Sequence, residues 1–224
     1  MTATAYSPLS APPSRADLDA VWQRLSHAQV IRRRALGVLG TLAILVLPWV
    51  RSAWPESGWV NQGLEWLGLA LMALALLGRC ACMLYLGGRK GADLVAEGPY
   101  AVCRNPLYVF SMMAVLGIGL QTGSLSVGLI LVLAAYAVFR WIVGEEERML
   151  RVSFGAPFAD YCARVPRFWP RLSAWQSPQH VTVDLPGVWK TVRDALPYFL
   201  SGPVFEAIEA AQAAGWLHVR WWLY

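Results

Sequence analysis

The stretch Glu97-Gly-Pro-Tyr-Ala-Val-Cys-Arg-Asn-Pro-Leu-Tyr108 decides how this chain is read. It is polar, turn-rich and partly basic, and it lies between two long apolar runs. Pro99 and Pro106 lack a backbone N–H and fix φ, so regular structure is interrupted on both sides of Arg104. Gly98 permits a backbone conformation that other residues avoid. Lipid cannot satisfy irregular backbone, so such a segment belongs at a water boundary or in a protein-lined cavity. We read it as the floor of a cofactor site.

The rest of the composition supports a membrane setting. Of 224 residues, 57% are hydrophobic and 15% charged, against about 45–50% and about 25% in soluble domains. Twelve tryptophans and eight tyrosines suit a chain with membrane–water interfaces. The net charge of +5 sits beside apolar runs and not in a polar stripe. Membrane orientation and anionic head groups account for it, and nucleic acid is not expected as a partner. Cys80, Cys82, Cys103 and Cys162 form no paired CxxC, and His27, His180 and His218 are remote from them in sequence. No metal site and no disulfide framework follow. Residues 1–30 lack the apolar core of a cleavable signal.

Outward from the central stretch, the apolar runs predict about four membrane spans in an all-α integral membrane protein. Residues 1–15 read as a disordered tail. Within 1–30, Ser14 is a candidate cap, and Leu18, Val21, Trp22 and Leu25 recur at helical spacing, as in an interfacial helix. Arg32, Arg33 and Arg34 directly precede the first span, 35–50. The second span is 59–78, with Glu65 inside it as a packing or interfacial residue, and its helix can project through Arg79 to Leu86. The third and fourth spans, 107–122 and 125–143, form a hairpin around Gln121-Thr122-Gly123-Ser124. Small residues such as Ser111, Ala114 and Gly117 permit close helix approach. The domain organisation is therefore 1–30 as tail and interfacial helix, 31–170 as the membrane domain, and 171–224 as a linker with amphipathic C-terminal helices. Those helices are too short to span and are expected on the membrane or against the cytoplasmic face. The bias of Lys and Arg toward one side places the N-terminus, the central stretch and the C-terminus together in the cytoplasm.

The hairpin brings two polar clusters to one end. One supplies Tyr100, Arg104, Asn105 and Tyr108. The other is Glu145-Glu146-Glu147, after the fourth span. Arginine can hold a carboxylate in bidentate fashion, and glutamate can receive an amine or ribose hydroxyls. Neighbours on a helix are about 100° apart, so the three glutamates cannot all face inward, and at least one is solvated. The residues alone do not say which one faces the site.

At these residues the sequence resembles the isoprenylcysteine carboxyl methyltransferases, a group that itself resembles the phospholipid N-methyltransferases. The resemblance rests on Gly98-Pro-Tyr-x-x-x-Arg-Asn-Pro-Leu-Tyr108, the hairpin, Glu146-Glu-x-x-Leu150-x-x-x-Phe-Gly155, Tyr161 and Val165-Pro-x-x-x-Pro170. It covers about 76–170. It implies an integral membrane enzyme that uses S-adenosyl-L-methionine. It also implies Arg104 and Glu146 as catalytic residues, and Tyr100, Arg104, Asn105, Tyr108, Glu146 and Glu147 as cofactor-binding ones. The family usually has His where this chain has Asn105, so a positioning role survives there and a general-base role does not. The implied acceptor is membrane-associated, such as an isoprenylcysteine-like carboxylate. A phospholipid amine and a small thiol are the alternatives, and a non-catalytic membrane scaffold is the rival from another class. Membrane lipids are the other expected partner. The sequence leaves the oligomeric state open.

Overall fold

The computed structural model describes residues 15–55, 58–87 and 93–224. The tail expected over 1–14, the Ser14 cap, and the side chains of Leu18 and Val21 lie outside the described residues. The fold is mostly helical, at 75%. Its elements are α1 (Arg15–Val46), β1 (Val50–Ser52), α2 (Trp59–Leu86), α3 (Pro99–Val102), α4 (Pro106–Leu120), α5 (Leu125–Phe154), α6 (Ala156–Arg164), α7 (Leu185–Ala195), α8 (Ser201–Ala213) and β2 (Trp221–Leu223).

Four helices form the bundle. α4 packs between α2 and α5, and α1 lies on the outer side of α5. Small residues set the spacing. A Cβ on Gly117 would stand 2.6 Å from the Gly68 carbonyl oxygen, and one on Gly119 would stand 2.5 Å from Gly128 Cα. Those backbones touch only because no side chain intervenes. Ser124 caps α5, its hydroxyl accepting from Val127 N at 3.3 Å. Pro106 opens α4, where its missing N–H costs nothing.

Among the described residues, two helices, α2 and α5, are long and apolar enough to cross a membrane. Only 22% and 33% of their most apolar windows are buried. Trp59, Trp66, Leu77, Ile130 and Leu133 point away from protein. A core helix of a water-soluble protein would be covered on these faces, so the surface matches a hydrocarbon environment.

The structure departs from the sequence reading in three places. The first is α1. An interfacial helix followed by a separate span over 35–50 is replaced by one continuous helix ending at Val46. Arginine is a good helix former, so the triple arginine does not break it. Leu25, Ala28 and Leu36 continue one buried or half-buried face, which packs on Ala135, Phe139 and Ile142 of α5. The second is the fourth span, which extends to Phe154 and carries all three glutamates within one helix.

The third departure concerns residues 171–224. They do not stay at the end where the central stretch lies. A Cβ on Gly187 would meet Met83 Cε at 3.1 Å. Further along, the Ser201 hydroxyl reaches Met72 Sδ at 3.7 Å, and Gln212 Nε2 donates to Pro48 O at 2.8 Å. α7 therefore runs down α2, and α8 closes the opposite end of the bundle. There β2 pairs in parallel with β1, with Arg51 opposite Trp222. Residues 221–224 lie at the end of the bundle opposite the central stretch, beside the start of α5. The physical reason is the α2 flank, which offers an apolar surface that the amphipathic α7 face can cover. Glu65 also belongs to that far end. It accepts from Asn61 Nδ2 at 2.6 Å, which favours the packing role over a functional one.

Candidate functional site

The central stretch is held by its own backbone and by residues 161–176. Gly98 has φ of +57°, and a Cβ there would stand 2.4 Å from the Tyr85 ring, so only glycine fits. Its N–H donates to Gln176 O at 2.6 Å. Arg104 N donates to Pro166 O at 2.9 Å, and Arg171 N to Val102 O at 3.0 Å. The Cys103 thiol is buried and donates to the Arg167 and Phe168 carbonyls at 3.3 and 3.4 Å. Burial pushes that thiol up to about 11. It is a clip between two loops, not a nucleophile. The Tyr161 hydroxyl donates to Tyr100 O at 2.7 Å, anchored by the Phe158–Tyr161–Val165 cluster.

The three glutamates separate around α5. Glu145 pairs with Arg148, itself exposed, at 2.9 Å, away from the other two. Glu146 accepts from the Tyr108 hydroxyl at 2.8 Å. Glu147 is buried and is the hub of the other cluster. Arg104 Nε lies 3.4 Å from it, and Arg167 Nε donates to both its oxygens at 3.1 Å. The Arg167 Nη2 contact is closer still. Asn105 Nδ2 reaches Glu147 at 3.4 Å and Arg167 O at 3.2 Å. Arg104, Asn105 and Glu147 thus meet directly, and Tyr108 meets Glu146 beside them. Hydrogen bonding to Glu147 raises the Arg167 guanidinium above its ordinary value.

Among the described residues, three buried polar atoms in this region have no hydrogen-bond partner: the Tyr100 hydroxyl, Arg104 Nε and Arg79 Nε. The Arg104 atom has only its ion-pair distance to Glu147. The Tyr100 hydroxyl lies within the fields of Glu146 and Arg79. Burial raises it well above the usual phenol range, so it remains a donor. Buried donors without partners are rare in folded proteins and mark places where another group belongs. One charge balance is informative. Glu147 faces two guanidiniums, so this half of the site keeps one excess positive charge.

Two residues escaped the sequence reading. Arg167 occupies an unspecified position within Val165-Pro-x-x-x-Pro170, and its alignment with Glu147 depends on the loop path. Arg32 was read with its neighbours as a basic cluster, yet its Nη1 donates to the Tyr108 hydroxyl at 2.7 Å. Among the described residues, no group of three or more His, Cys, Asp or Glu could hold a metal ion.

The chain is thus a helical bundle with exposed apolar flanks and a cluster of buried polar and charged side chains at one end. Residues 64–157 match the model of the family described as phospholipid methyltransferase. Two relatives are similar over a longer stretch. One is the nickel-cobalt-cadmium resistance protein NccN of Alcaligenes xylosoxydans xylosoxydans, 36% identical over 141 residues, covering 63% of this chain and 66% of the relative. Another is the cobalt-zinc-cadmium resistance protein CzcN of Cupriavidus metallidurans, 36% identical over 139 residues, covering 62% and 64%. The similar region spans just under two thirds of the relatives' own length. No solved structure matches.

Proposed function

We propose that this protein is an S-adenosyl-L-methionine-dependent methyltransferase acting on a membrane-associated acceptor. The observation that carries the reading is the pair of buried groups without a hydrogen-bond partner, the Tyr100 hydroxyl and Arg79 Nε, beside Glu146 and the Arg104–Glu147 ion pair. The donor set fits such a cofactor, which has a carboxylate, an ammonium group and ribose hydroxyls. Arg104 and Arg167, with their excess positive charge, would hold the carboxylate. Glu146 would receive the ammonium group or the hydroxyls, and the Tyr100 hydroxyl would donate. Asn105 and Glu147 would keep the arginines in place. The cofactor supplies a methyl group already activated as a sulfonium, so the protein's work is alignment and exclusion of water.

Within this reading, α1, α2, α4 and α5 are the four spans, and the site end faces the cytoplasm, as the basic residues there suggest. Two open hollows between α1 and α5 support an amphiphilic acceptor. The one nearer the site, about 350 Å³, is lined by Arg24, His27, Trp141 and Glu145. The other, about 460 Å³, is lined by Arg34 and by apolar residues such as Val38, Leu39, Ala134 and Val138. An isoprenylcysteine-like carboxylate needs no base for methylation. A phospholipid amine is the second reading, favoured by the description of the family. The names of the relatives suggest that the modified membrane component serves metal tolerance.

The test has two parts. Calorimetry on detergent-solubilised protein should show binding of S-adenosylhomocysteine that Arg104→Ala and Glu146→Ala abolish while the fold persists. A labelled-methyl assay on membranes should then mark the acceptor. No binding by the wild type, or unchanged affinity in both variants, would remove the reading.

A further inference from the structure

We propose that Arg32 is a positioning residue of the candidate site, fixing the Glu146 carboxylate through the Tyr108 hydroxyl, so that α1 completes the site. The inference rests on the cofactor reading only for the role it gives Glu146. Arg32 lies outside residues 64–157, the stretch matched to the family.

Leu25, Ala28 and Leu36 lie on the side of α1 that packs toward α5, and Arg32 follows the same spacing. An arginine placed only to meet lipid phosphate would point outward. Arg33 and Arg34 are exposed, whereas Arg32 is half-buried. Its guanidinium meets Tyr108 twice. Nη1 donates to the hydroxyl at 2.7 Å, and the guanidinium carbon lies 5.9 Å from the ring centroid. Phe139 packs on the same ring at 5.0 Å, so the ring is fixed between α1 and α5.

Donor chemistry then sets the direction of the chain. Guanidinium only donates, so the Tyr108 oxygen must accept from Arg32. The single hydroxyl proton is left for Glu146, which accepts it at 2.8 Å. Arg32 therefore orients the proton that Tyr108 gives to the Glu146 carboxylate. Three helices meet in this relay: α1 through Arg32, α4 through Tyr108 and α5 through Glu146. Without Arg32 the Tyr108 hydroxyl can rotate, and its hydrogen bond to Glu146 is no longer held in one direction.

The test is a double-mutant cycle with two readouts. Wild type, Arg32→Met, Tyr108→Phe and the double variant are titrated with S-adenosylhomocysteine in detergent. Arg32→Met should weaken binding about tenfold, which is ~1.4 kcal/mol. It should cause almost no further loss in the Tyr108→Phe background, because its effect travels through the hydroxyl. Arg32→Lys keeps a donor and should bind better than Arg32→Met. A full Arg32→Met loss in the Tyr108→Phe background, wild-type affinity in Arg32→Met, or equal loss in Arg32→Lys and Arg32→Met would each overturn the proposal. Melting temperatures of the same variants without ligand form the second readout. If the wild type binds no S-adenosylhomocysteine, the cofactor reading fails by itself. The relay is then decided by melting alone: non-additive shifts for Arg32 and Tyr108 uphold it, and additive shifts overturn it.

Discussion

Replacing Glu147 with glutamine removes one charge from the hub of the site and leaves its shape. The wild-type side chain is only 6% exposed, and Arg104 beside it only 14%. With glutamine, Arg104 keeps a buried charge and no counter-ion among the contacts described above. Its remaining polar contact is Cys162 O at 3.4 Å. Breaking a buried pair from one side costs about 3–5 kcal/mol, because the surviving charge stays desolvated. Arg167 is 36% exposed and can turn to water, so its share is on the order of 1 kcal/mol or less. Glu147→Gln should therefore lose about 3–5 kcal/mol and Arg167→Ala roughly 1 kcal/mol. Glu147→Leu with Arg104→Met should recover most of the loss, since an apolar pair of similar volume suits the same space. Unfolding in detergent micelles followed by near-ultraviolet circular dichroism measures all three. A Glu147→Gln loss below about 1 kcal/mol, matching Arg167→Ala, would refute the reasoning and mean that water already solvates the carboxylate.

Two further outcomes concern the loop clip and the path of the chain. Cys103 has its folded value raised from 9.0 to about 11 by burial. Its contribution to stability is thus complete below pH 9 and is lost as pH rises toward about 11, at up to ~1.4 kcal/mol per pH unit. In a chain whose other cysteines are alanine, iodoacetamide at pH 7.5 should leave Cys103 unmodified, and Cys103→Ala should flatten the loss of stability between pH 9 and 11. Rapid alkylation at pH 7.5 in the folded state would show that the thiol is not enclosed. For the path of the chain, Asp160→Cys and Trp222→Cys in a cysteine-free background should react with an impermeant maleimide from opposite faces of sealed vesicles. Labelling from one face would contradict the run of residues 185–213 along the bundle.

The helices of the bundle were legible because each depends on nearby residues. Pro106 and Ser124 mark the starts of α4 and α5, and the apolar runs between them show what they face. The continuity of α1 was harder to see, since charge after residue 31 looks like an end in a hydropathy pattern. Only its packing on α5 shows that the inward face continues past the arginines. The site followed the same division. Tyr100, Arg104, Asn105, Tyr108, Glu146 and Glu147 stand near the hairpin's open end by topology alone. Arg167 and Arg32 do not, because they arrive from a loop and from a helix distant in sequence.

The sequence by itself determined the helical class, the hairpin, the polar stretch between apolar runs and the residues gathered at its mouth. These follow from local rules of proline, glycine and hydrophobic periodicity, which act over a few residues. Tertiary structure alone decided how the glutamates divide, with Glu145 toward Arg148, Glu146 toward Tyr108 and Glu147 toward two arginines. It also decided that residues 185–213 descend along α2 to the far end. Both outcomes depend on which surfaces meet. An ion pair forms only where two distant segments arrive at the same depth, and an amphipathic helix lies wherever an uncovered apolar flank is available.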